Sequence, residues 1–152
     1  MSLKITADFT EKQIRDYCNQ QLEAYKQYVI SIYSKAGQAM VEDARSRSRE
    51  SGDSFGNITW NLRSSIGCVV MVGGQTVFSY FPVLMTGAEG SRTGEDYAKF
   101  IGGQVTENDE IVLVVVAGME YARSVEDRNK NVITATSLIA EQILEQYIQQ
   151  AA

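Results

Sequence analysis

Apolar residues recur at three- and four-residue steps through Ile14, Cys18, Leu22, Tyr25, Val29, Ile32, Ala36, Met40 and Ala44, with polar residues between them. That spacing keeps one stripe of a helix apolar and predicts an α-helix over 10–48. At its start, Thr10 and Gln13 of "TEKQ" form a capping-box pattern, each side chain satisfying a backbone donor that the first turn leaves unpaired. A helix this long spans about 57 Å at 1.5 Å per residue, against roughly 30 to 35 Å for a domain of this size. The pattern therefore predicts that part of the helix projects or packs on another subunit, unless Gly37 breaks it.

The period then changes. "ARSRSRESGDSFGN" is polar, carries two glycines and reads as the approach to a mobile loop over 49–62. Two β-rich runs, 66–72 and 76–81, flank Gly73-Gly74 and predict a hairpin. The stretch 82–110 holds five glycines and the only proline, and reads as a long inserted loop with one helical turn over 96–101. "IVLVVVAG" is a continuous apolar run, the pattern of a strand buried on both faces. "MEYARSVEDR" suits a short helix, and apolar positions over 132–150 predict a second amphipathic helix. The expectation is an α+β fold in one domain, 1–152, with a long N-terminal helix and a C-terminal helix packed on a small, mainly antiparallel sheet. The sheet occupies 63–118, interrupted by the loop, and the short and C-terminal helices occupy 119–152.

Composition narrows the chemistry. Of 152 residues, 44% are hydrophobic and 22% charged, which is the composition of a folded chain. A net charge of −5 argues against sequence-independent attraction to DNA or anionic lipid. No apolar run is long enough to span a membrane, and "MSLKITADFTEKQ" lacks the apolar core of a signal peptide, so a cytoplasmic site of synthesis is expected. Cys18 and Cys68 are expected to be small buried hydrophobes rather than a disulfide. The chain has no histidine. Ser-His-Asp and Cys-His catalysis, and histidine-based zinc sites, are thereby removed. No cofactor motif is present, and Glu107, Asp109 and Glu110 lack the glycine and spacing of a calcium loop.

Three constellations remain. Glu120 and Glu126 offer carboxylates of glycosidase type, but six residues apart they share a helix face poorly and read as solvated surface. Arg45, Arg47 and Arg49 alternate near the helix end, where the dipole favours cations; their functional reading is contact with phosphate or an acidic partner. The single tryptophan, Trp60, stands in "FGNITWNLRSSIG" before Leu62, Arg63 and Ile66, where it reads either as a packed turn or as an interface anchor. Asn61 in this stretch is a candidate cap, of a residue type that can also adopt a left-handed backbone.

"TWNLRSSIGCVV", a long insertion, "VVVAGMEYARSVE" and a C-terminal amphipathic helix resemble, in that order, the tail-completion proteins (neck or head–tail connectors) of long-tailed bacteriophages. The family's "tG-x-L-r-x-S-I" stretch matches 60–66, and its "YA-x-x-V-E" stretch matches Tyr121, Ala122, Val125 and Glu126. Two departures stand out: Asn61 replaces the usual glycine, and "DRNKNV" replaces an "fGT" and proline. The resemblance implies a non-enzymatic virion protein, assembled in the host cytoplasm as a sixfold ring between head connector and tail tube. It implies no cofactor, metal or membrane, and DNA passing through without sequence-specific contacts. Trp60, Leu62, Arg63, Ile66, Tyr121, Val125 and Glu126 become the interface or junction candidates. Two alternatives from other classes are a carboxylate-based, cell-wall-degrading hydrolase and a small cytoplasmic protein-binding module.

Overall fold

A computed structural model describes residues 8–47, 55–105 and 107–151. Helix α1 runs Glu11–Ser46. Its capping box forms as the sequence expects: the Gln13 amide donates to Thr10 Oγ1 at 3.3 Å and the Thr10 amide to Gln13 Oε1 at 2.7 Å. Gly37 does not break the helix. It is buried where a Cβ would lie 2.8 Å from Cys68 Sγ and from Leu113 Cδ1, so the missing side chain lets α1 settle onto the sheet.

The sheet has three strands, β1 Ile66–Val72, β2 Gln75–Tyr80 and β3 Ile111–Ala117, in the order β2-β1-β3 and all antiparallel. β1 and β2 form the expected hairpin, Val72 opposite Gln75, with Gly73 and Gly74 both at positive φ as a tight two-residue turn demands. The fold is thus α+β, a long N-terminal helix and a C-terminal helix combined with a small antiparallel sheet. The run 111–117 has α1 on one face and α3 on the other, as its unbroken apolarity predicts, and lies at a sheet edge. Only Val114 and Val116 in it are fully buried.

The expected loop over 82–110 is a helix for most of its length: α3, Ala88–Val105, which covers the sheet face opposite α1. Its glycines are contact points rather than breakers. Gly90, Gly94, Ala98 and Gly102 recur every four residues and are all buried, and a Cβ at Gly94 would lie 2.3 Å from the Ser65 carbonyl oxygen. A smooth helix face thereby reaches the backbone beneath it.

Alternate side chains of the strands feed two cores. Ile66, Cys68, Leu113 and Val115 meet Val41 and Ala44 of α1, whereas Val69, Met71, Val114 and Val116 meet Phe81 and Ala98 on the α3 side. Two short helices, α2 Asn61–Ser64 and α4 Ala122–Glu126, close the α1-side core with Leu62, Ala122 and Val125. Helix α5, Thr134–Ala151, packs antiparallel along α1: Thr136 meets Asp43 at one end and Ala151 accepts from Tyr28 at the other.

Candidate interface at the junction of the two motifs

The two stretches singled out in the sequence, more than fifty residues apart, build one junction. Leu62 and Ile66 share a core with Ala122, and Val125 packs against it. A cleft of about 520 Å³ opens beside them, lined by Trp60, Leu62, Arg63, Tyr121 and Val125 together with Phe55, Ile58, Arg128 and Lys130.

Most of "NLRSSI" is spent on holding the fold together. Asn61 begins α2 and caps another helix: its Oδ1 accepts from the Gly90 amide in the first turn of α3, and its Nδ2 donates to Glu89. Arg63, buried, donates to the Arg45 carbonyl and to Asn57 Oδ1 at 2.9 Å, with its guanidinium 4.7 Å from the centre of the Phe55 ring. Ser64 Oγ accepts from the Leu84 amide, and the Ser65 carbonyl accepts from the Gly118 amide.

The left-handed residue is Trp60, at φ 62, not Asn61. A bulky side chain in that region costs roughly 1–2 kcal/mol, and such strain concentrates where a side chain must be aimed. Trp60 is half-buried at the cleft wall, Tyr121 is exposed beside it, and Ile58 is 96% exposed. Aromatic and aliphatic side chains thus share this cleft with Arg128 and Lys130.

The arginine stripe does not face outward as a unit. Arg45 is half-buried and donates from Nε to the Ile66 carbonyl at 2.9 Å, from Nη1 to Pro82 at 2.8 Å and from Nη2 to Ser64 at 2.9 Å. Burial, with a smaller push from Arg63, lowers its pKa to about 10, so it stays charged at neutral pH. Arg47 donates to Asp43 and Thr136. Both side chains are thus engaged in contacts within the chain; Arg49 lies outside the described residues.

Glu126 is tied to the start of α5. Its Oε1 accepts from the Ile133 amide at 2.9 Å and from the amide and hydroxyl of Thr134 at 2.8 Å, capping α5 from a distance in sequence. Burial alone would push its carboxyl up, but these donors outweigh it and hold the pKa below the usual range. Glu120 is exposed. Because the folded-state pKa is depressed, the stabilisation from Glu126 is present above the ordinary glutamate range, near pH 4.3, and is lost as pH falls through the lower folded value. Glu126→Gln should cost about 1 kcal/mol at pH 7. The deficit should narrow below about pH 4, as the wild-type carboxyl also protonates; urea titrations at both pH values check this.

Cys68 is buried, which pushes its thiol up to about 12, while Cys18 is exposed on α1 rather than buried as the sequence pattern suggests. Among the described residues no cluster of three acidic or thiol side chains is placed to hold a metal, and no helix is long and apolar enough to cross a membrane. Comparison with protein-family models, curated proteins and solved structures finds no match.

Proposed function

We propose that this chain is a bacteriophage or prophage virion protein acting in head–tail joining, and that it assembles as a ring around the DNA channel. The observation that carries the assembly reading is the N-terminal half of α1. From Glu11 to Tyr25 every residue is exposed, yet the apolar stripe continues through Ile14, Tyr17, Leu22 and Tyr25. A lone copy leaves this surface in water, and an assembled one covers it. The head–tail assignment adds the resemblance of the two motifs, which meet in one junction and leave Trp60 and Tyr121 at a cleft open to a partner. An acidic protomer also suits a channel wall, because few phosphates are neutralised and DNA slides without being gripped.

Light scattering coupled to gel filtration, with negative-stain imaging, tests the assembly. Closed rings, with a lumen wide enough for duplex DNA, are expected as protein concentration rises. A protein that stays monomeric at the highest concentrations reached contradicts the ring.

A further inference from the structure

The exposed stripe of α1 and a second apolar surface on the same chain are matched in kind and cannot meet within one molecule. At about 100° per residue, Ile14, Tyr17, Cys18, Leu22, Tyr25 and Tyr28 fall within about 140° of the helix circumference. The same azimuth farther along the helix carries Ile32 and Ala36, which are buried. The uncovered half is thus the continuation of a face already suited to an apolar helical environment. Its four aromatic rings, counting Phe9, are between 42% and 64% exposed, as are Ile14 and Leu22. Together they offer roughly 600 Å² of apolar surface, taking about 150–250 Å² for a fully buried aromatic. That is at the top of the roughly 300–600 Å² that the largest apolar patch of a monomer ordinarily reaches and approaches the roughly 800 Å² per partner of a standard interface.

The complementary surface is a groove of about 590 Å³ between the distal half of α1, the edge strand β3 and α5. Tyr33, Met40, Leu113, Val115, Ala140 and Leu144 line it, and Glu141 is the one charged residue in its wall. Two of its walls are helices, so a third helix laid along it would pack as helices do in bundles. The chain's own stripe cannot fill it. Helix α1 runs unbroken through Gly37, so the middle of the exposed half stays about 25 Å along the same rigid helix from the groove.

We infer that the projecting half of α1 docks in the α1–β3–α5 groove of a second copy of this chain. Donor and acceptor surfaces differ, so the contact is head-to-tail and closes into a ring or runs on as a filament. This deepens the ring reading above and rests on its self-association, not on the head–tail assignment.

Two surface variants separate the halves of the contact. Leu22→Glu/Tyr25→Glu alters only exposed positions of the stripe, and Ser137→Arg/Glu141→Arg alters only exposed positions of the groove wall. Each alone is expected to self-associate at least about a hundredfold more weakly than wild type, with an unchanged circular-dichroism spectrum. Mixed, the intact groove of the first should accept the intact stripe of the second, giving a 1:1 dimer and nothing larger. The inference is overturned if wild type never associates, if either variant assembles as wild type does, or if the mixture stays monomeric. Rings that survive the stripe variant would sink this contact and leave the ring standing.

Discussion

Gly94→Ala is expected to destabilise the fold by about 3 kcal/mol or more, a drop of roughly 6–12 °C in Tm for a chain of this size. The added Cβ would stand 2.3 Å from the Ser65 carbonyl oxygen and 2.9 Å from the Phe81 ring, and the first of these is backbone that cannot rotate away. Helix α3 must lift from the sheet, drawing its Ala98 out of the core beneath. Gly103→Ala is the control, in the same helix with nothing within 4 Å of its Cβ position. There the lower chain entropy of the unfolded state and the better helix propensity should stabilise by up to about 1 kcal/mol. Denaturant unfolding of the two variants should therefore give opposite signs; the same sign in both would show that the glycine stripe is not what seats α3.

Arg45→Met is the second large effect, expected at about 3–5 kcal/mol. The substitution keeps an apolar stem but strips three partners from the carbonyls of Ser64, Ile66 and Pro82, which belong to α2, β1 and the segment after β2. Its guanidinium fork ties the end of α1 to all three at once. Arg45→Lys should recover only part of the loss, because an ammonium is a single point of charge and cannot span that geometry. A cost below about 1 kcal/mol for Arg45→Met would mean that water satisfies these carbonyls as well as the guanidinium does.

These two residues also mark where the sequence could and could not be read. Helix α1, the β1–β2 hairpin and α5 announce themselves through their apolar period, and Gly73-Gly74 marks its turn by a backbone requirement. α3 hides because it approaches the sheet through small residues. A search for large apolar side chains every three or four positions passes over Gly90, Gly94, Ala98 and Gly102, although the four-residue step itself is there to be found. The edge position of β3 is invisible for a different reason: an unbroken apolar run records that both faces are covered, not how many strands lie beside it.

At the junction, the sequence points to residues that the fold brings together and misses several of their contacts. Leu62, Ile66 and Val125 do meet, and Trp60 and Tyr121 share a cleft. Arg45 and Glu126 look like surface charges because their partners are backbone groups, which carry no signature in a sequence. Asn61 is the residue type that ordinarily takes a left-handed backbone, yet the chain puts Trp60 there and frees the Asn61 side chain to cap α3. That exchange aims the tryptophan at the cleft instead of burying it in the core.

The proposed role in head–tail joining is read on particles rather than on the protein alone. Its gene is deleted from the genome that carries it, the lysate is imaged by negative-stain electron microscopy, and the wild-type gene is then supplied in trans. DNA-filled heads and finished tails lying apart are expected in the deletion lysate, with joined particles restored by complementation. Joined, infectious particles in undiminished number from the deletion would contradict it.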